Sequence, residues 1–138
     1  MKPVIFIVGV GRSGTSLVQS MLAANPKISY LPETAFIRRY LYRSKLHKIR
    51  KKAGFSEVKE HLENDRLLSR LNIPLDELLS CDTGKRVLLD LSVYYRMLEL
   101  YSRTEVEYVG DKDPRLIEFL PLVRAVSSNS NVLQIIRD

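Results

Sequence analysis

One cysteine, two histidines and no long apolar run restrict what this 138-residue chain can do. Cys81 alone excludes an internal disulfide and fits a reducing compartment. With only His47 and His61 beside it, the soft ligands are too few for a zinc site, and no acid cluster resembles a magnesium site. No metal is expected. Nor is any stretch long enough to span a bilayer. The opening Met-Lys-Pro-Val-Ile-Phe has too short an apolar run for a secretory signal, which leads to the expectation of a cytoplasmic protein. Internal repeats and low-complexity linkers are missing. One stretch is short of a single charge sign, since no acid lies between Thr34 and Ser56.

What is present fits one domain with a real core. A hydrophobic content of 45% with 28% charged residues is that of a globular chain rather than a disordered one. The net charge of +6 suits an acidic ligand without identifying nucleic acid.

The most informative stretch lies near the start. Val4 to Val8 is a β-branched and aromatic run ending at Gly9, then Val10-Gly11-Arg12-Ser13-Gly14-Thr15-Ser16 leads into the helical pattern Leu17, Val18, Met21, Leu22. Strand, tight loop and helix N-terminus in that order aim backbone N–H groups and the positive end of a helix dipole at an anion. Gly9, Gly11 and Gly14 are read as positions of backbone freedom and close ligand approach. Ser13, Thr15 and Ser16 add hydroxyls, and Arg12 adds a fork suited to tetrahedral oxyanions. The spacing from Gly9 to Gly14 is that of a Walker loop, but Thr15 stands where its lysine belongs. A dinucleotide fingerprint fits no better, because Glu33 follows a proline and opens a helical pattern instead of ending a second strand. The stretch reads as a phosphate- or sulfate-binding loop.

Further along, a helix is expected from Thr15 to about Ala24, ended by Asn25-Pro26, and a short strand over Ile28–Leu31. Thr34 is placed to cap a helix carrying Phe36, Ile37, Tyr40, Leu41 and Ile49. Its polar side holds Arg38, Arg39, Arg43, Lys45, Lys48, Arg50, Lys51 and Lys52. That face reads as solvated, or as contacting an acidic acceptor or nucleotide; no aromatic platform accompanies it, so nucleic acid is not expected. A second helical pattern starts at Ser56 and takes in Val58, Leu62, Leu67, Leu68 and Leu71, with Glu57, Glu60, Glu63 and Asp65 available to the basic helix. Ile73-Pro74 breaks it, Leu75 to Ser80 forms a short turn of helix, and Asp82-Thr83-Gly84 is a loop before a long helix from Lys85 to Arg103. His47 and His61 are read as surface residues, and Tyr94, Tyr95 and Tyr101 as packing residues with wet hydroxyls. Residues 35–105 thus form a helical insertion after the second strand of a single α/β domain, 1–138.

The final third returns to strands. Glu107 to Gly110 delivers the charged turn Asp111-Lys112-Asp113-Pro114, with Pro114 suited to the first turn of a helix through Phe119 and Val123. Val132 to Ile136 reads as a buried strand ending in Arg137-Asp138. A lysine at the C-terminal end of a parallel strand lies where open α/β sheets bind ligands. Because the chain stops on such a strand, it is expected to be the N-terminal part of a longer protein.

The string Gly-x-x-Arg-Ser-Gly-Thr-Ser-Leu resembles the 5′-phosphosulfate loop of sulfotransferases that use 3′-phosphoadenosine 5′-phosphosulfate (PAPS). Glu33, Lys112-Asp113-Pro114 and Arg137-Asp138 follow in that family's order, and Glu33 stands 21 positions after Arg12. The pattern is most similar to that of the tyrosylprotein sulfotransferases. The resemblance implies a P-loop-like, mostly parallel sheet flanked by helices. It also implies PAPS as co-substrate, with Gly11, Arg12, Ser13, Gly14, Thr15 and Ser16 on its 5′-phosphosulfate and Arg137 on its 3′-phosphate. Glu33 would be the base on an acceptor hydroxyl, and Lys112, with Arg12, would stabilise charge on the departing phosphate. The family's 3′-phosphate site continues past Asp138. A P-loop small-molecule kinase and a non-catalytic nucleotide-binding module remain as alternatives. The acceptor is left open among a tyrosine, a sugar or a metabolite alcohol, with the basic stretch hinting at an acidic one. The sequence carries no signal for oligomeric state.

Overall fold

A computed structural model describes residues 2–80, 88–102 and 105–137. Cys81, the Asp82-Thr83-Gly84 loop, the expected helix start at Lys85, Arg103 and Asp138 lie outside the described residues. The chain divides into two compact units, Met1–Ala35 with Ser102–Asp138, and Phe36–Tyr101.

The first unit is a mixed α/β unit on a four-stranded sheet. Its strands are β1 (Val4–Gly9), β2 (Ile28–Tyr30), β3 (Tyr108–Lys112) and β4 (Ser130–Ile135), in the order β2-β3-β1-β4. All three pairings are parallel, with Ile7 opposite Lys112 and Gly9 opposite Ile135. Alternation along β1 sends Val4, Phe6 and Val8 to one face and Ile5 and Ile7 to the other. Ile7 joins Ile28 and Tyr30, with Val18 and Leu22 of helix α1 (Thr15–Ala23) packed against them. That apolar cluster fixes α1 over the sheet, so the loop from β1 must turn at the C-terminal edge. Gly110 on β3 admits the Tyr30 ring, because a Cβ there would lie 2.0 Å from it.

Two expectations are corrected here. The last strand is not buried: Val132 and Leu133 are 38% and 39% exposed, since among the described residues β4 stands at the sheet edge, paired with β1. The helix after Pro114 is split into a 3₁₀ segment, Pro114–Phe119, and helix α7 (Leu120–Val126). Pro121 accounts for the split, because a proline inside one continuous helix removes a hydrogen bond and clashes with the preceding turn.

The second unit is helical: α2 (Phe36–Arg39), α3 (Lys45–Ala53), α4 (Phe55–Glu63), α5 (Leu75–Leu79) and α6 (Leu89–Tyr101), with 3₁₀ turns at Leu41–Arg43 and Leu68–Leu71. Its core stacks Phe36 on Tyr40 at 4.8 Å and on Tyr94 at 5.8 Å between ring centroids. Tyr94 is fully buried, so its hydroxyl is not wet as expected. His47 is exposed, whereas His61 is half-buried with its ring edge-on to Tyr40.

The helices read as starting at Thr34 and at Ser56 are both interrupted, with a carboxylate serving each break. The first ends at Arg39, passes through the 3₁₀ turn Leu41–Arg43 and Ser44 at φ 49°, and restarts as α3 with the N–H groups of Leu46 and His47 donating to Asp90 at 2.8 and 3.0 Å. The second ends at Glu63, after which Asp65 accepts from the N–H groups of Leu67 and Leu68 at 2.9 and 3.2 Å. A short acidic side chain offers the backbone a partner that competes with the next helical turn. Asp65 is also the acceptor for Arg39, at 2.6 and 3.2 Å, and for the Tyr40 hydroxyl. Of the acids read as partners for the basic stretch, Asp65 is one that pairs with it.

Candidate active site

The loop after β1 turns on an Ser13 N–H to Val10 carbonyl bond of 3.1 Å. The reading of its glycines needs revision. Positive φ occurs at Arg12 (65°) and Gly14 (95°), while Gly11 has neither a positive φ nor a neighbour that a Cβ would meet. Gly9 is required by crowding: a Cβ there would lie 2.7 Å from the Ile135 carbonyl and 3.0 Å from Ser13 Oγ. An arginine held in the left-handed region costs about 1 kcal/mol or more, a strain that clusters at ligand-binding turns.

Helix α1 begins without a side-chain cap, its N-cap being Gly14. The N–H groups of its first turn are therefore left for another acceptor, at the positive end of the helix dipole. Ser13 Oγ is buried and has no hydrogen-bond partner. A buried hydroxyl without a partner costs on the order of 1–3 kcal/mol. Together these make a donor-rich cradle that an oxyanion would complete.

Opposite the cradle, Lys112 at the end of β3 is almost wholly buried, its side chain 7% exposed. Its ammonium forms an ion pair with the Glu33 carboxylate and donates to Ser16 Oγ at 3.3 Å. Glu33 is positioned by a short tether. The Leu31 N–H donates to the Gly110 carbonyl at 2.9 Å, extending the β2–β3 pairing, and Gln19 Nε2 on α1 donates to the Leu31 carbonyl at 3.1 Å. Ala35 then turns the chain at φ 53° into α2. Behind Lys112, buried Asp113 accepts from the Arg115 N–H at 3.1 Å and caps the 3₁₀ segment, which fixes the direction in which β3 ends.

Arg12, Gly14, Thr15, Ser16, Glu33 and Lys112, with Pro114, line one open cleft of about 430 Å³. Six of the residues singled out from the sequence thus meet in one place. Gly11, Ser13 and Arg137 do not line it. Arg137 is exposed two positions beyond the end of β4, at the same C-terminal edge of the sheet. Pro114 as a wall of the cleft and Gln19 as a tether were missed; a glutamine on an amphipathic helix has no signal that separates it from a surface residue. Among the described residues no group of three or more His, Cys, Asp or Glu side chains could hold a metal ion, and no helix is long and apolar enough to cross a membrane.

At the C-terminal edge of the parallel sheet, the uncapped start of α1 and the loop turned at Arg12 and Gly14 thus face a lysine and a carboxylate, where open α/β sheets bind ligands. A model of the sulfotransferase family matches residues 3–138. The chain belongs to that family. A comparison with curated proteins finds no match.

Proposed function

We propose that this protein transfers a sulfuryl group from PAPS to an acceptor hydroxyl, in the manner of the tyrosylprotein sulfotransferases that its motifs resemble. The observation that carries the reading is the Lys112 ammonium, bonded at once to Glu33 and to Ser16 of the anion loop. A hydroxyl is a weak nucleophile near neutral pH, so a carboxylate must take its proton as the new O–S bond forms. Glu33 fills that role. The bond that breaks joins sulfur to the bridging phosphate oxygen, leaving its electron pair on the phosphate. Lys112 and Arg12 stabilise that developing charge, as cations held beside a leaving group do. The uncapped first turn of α1 and the unpartnered Ser13 hydroxyl support Gly11, Arg12, Ser13, Gly14, Thr15 and Ser16 as the holders of the 5′-phosphosulfate. Arg137, at the same sheet edge, is assigned to the 3′-phosphate. PAPS supplies the activated sulfuryl group and acts as co-substrate; no metal takes part in this scheme. The cytoplasm is the proposed compartment.

Calorimetric titration with adenosine 3′,5′-bisphosphate, beside ATP–Mg²⁺, tests the reading. The bisphosphate is expected to bind and ATP–Mg²⁺ to bind far more weakly, with bisphosphate affinity reduced about 10-fold to 100-fold in Arg12→Ala, the range for loss of one charge-assisted contact. A preference for ATP–Mg²⁺ would move the assignment to a kinase.

A further inference from the structure

Most of the net positive charge of this protein belongs to its helical unit. Residues 36–101 hold fourteen Lys and Arg against nine Asp and Glu, so the helical unit carries +5 of the net +6. Within that unit the charge is concentrated on α3. At 100° per residue, Lys45, His47, Lys48, Lys51 and Lys52 fall on one side of this helix, and all five are exposed, while Leu46 on the other side is buried.

Helix stability does not explain this distribution. Cations in the last turn, such as Lys51 and Lys52, complement the dipole, but Lys45 and Lys48 in the first turn oppose it. Asp90 caps this first turn through the backbone of Leu46 and His47, and Lys45 lies 5.4 Å over the Tyr40 ring, while Asp65 pairs with Arg39 and Tyr40 and Asp76 with Lys59. A second feature marks the same helix. Tyr42, just before α3, is 58% exposed, and Phe55, just after it, is 41% exposed. Aromatic side chains at both ends of a lysine face have the chemistry of a surface that rests on anionic headgroups, rings at the interface and ammonium groups on the phosphates. Nucleic acid or an acidic polypeptide would use the charge alone, whereas an anionic bilayer also takes up exposed aromatic rings such as Phe55.

We propose that the solvent face of α3, with Tyr42 and Phe55, docks the protein on an anionic bilayer surface. The contact is peripheral: the charge supplies most of the attraction and the rings provide apolar anchorage. It is independent of the sulfuryl-transfer reading.

The test is sedimentation of the full chain with vesicles of about 70:30 phosphatidylcholine to phosphatidylserine, compared with phosphatidylcholine alone. Binding is expected to the mixed vesicles only and to be lost near 0.5 M salt, where the Debye length is about 4 Å. Each lysine near an anionic surface contributes about fivefold, so neutralising Lys48, Lys51 and Lys52 together (Lys→Gln) should weaken binding by about 100-fold. Phe55→Ser should weaken it further, with circular dichroism confirming that both variants are folded. Absence of binding to the mixed vesicles, or binding that the triple variant leaves unchanged, overturns the proposal. So does a salt-sensitive interaction that ignores Phe55→Ser and is matched by polyglutamate or duplex DNA, which would assign the face to a soluble polyanion.

Discussion

The sheet unit and the helical unit treat their polar groups in opposite ways. In the helical unit the buried acids are saturated: Asp65 accepts from Arg39, Tyr40, Leu67 and Leu68, and Asp90 from Leu46 and His47. In the sheet unit the donors are left open: α1 starts without a side-chain cap and Ser13 Oγ has no partner. Saturated carboxylates define turns and hold helices in place, whereas open donors beside a cleft are what the proposed anion site requires. Charge density points to the helical unit, whereas the proposed anion cradle lies in the sheet unit and is built from backbone N–H groups and a few fixed side chains.

The sharpest test of that contrast is Glu33→Gln against Asp65→Ala. The first should lower sulfuryl-transfer turnover by about 10²–10⁴-fold and leave folding and bisphosphate affinity nearly unchanged. Equal turnover in that variant would remove Glu33 as the base. Asp65→Ala should instead cost about 3 kcal/mol in denaturant-induced unfolding, because Arg39, Tyr40 and two backbone donors lose their acceptor together. Chemistry would then belong to one carboxylate and stability to the other.

Protonation sharpens the comparison within the helical unit. Burial works to raise Asp65, but hydrogen bonds from Arg39 and Tyr40 outweigh it and hold its carboxyl below the usual value. A depressed carboxylate contributes stability above its unfolded pKa of about 4, lost as pH falls through the lower folded value. Asp90 has the opposite sign: burial raises it, outweighing the N–H groups of His47 and Leu46. Its ionisation therefore detracts from stability as pH rises from about 4 through its folded value. Unfolding midpoints measured across the acid range should show a loss on acidification that Asp65→Asn flattens and Asp90→Asn steepens.

Smaller effects separate the glycines. Gly9→Ala should destabilise by about 1–3 kcal/mol, since its methyl group meets the Ile135 carbonyl and Ser13. Gly11→Ala should change stability by less than about 0.5 kcal/mol, because nothing lies near the added methyl group. Thermal unfolding of the pair decides whether the loop's glycines serve crowding or flexibility.

Legibility followed the same division. Strands β1 and β3, the loop and helix α1 were readable because β-branched runs, glycines and an apolar helical period act within a few residues of one another. In the helical unit the period was correct in kind and wrong in extent. The breaks at Ser44 and after Glu63 depend on Asp90 and Asp65 acting as backbone acceptors, and Asp90 lies 44 positions from Leu46. No local pattern encodes such a bond. The exposed β4 misled for a related reason, since an apolar run reads the same in a central strand and at an edge.

By itself the sequence determined strand β1, the loop after it, helix α1 and the family resemblance, because each rests on short-range backbone preference or contiguous residues. Only the tertiary structure decided that Lys112 meets both Glu33 and Ser16, residues 79 and 96 positions away. Parallel pairing sets β1 and β3 in register, and packing of α1 on Ile7 brings Ser16 over the strand end. A hydrogen bond across such a span follows from the register of the sheet, which no stretch of chain contains alone.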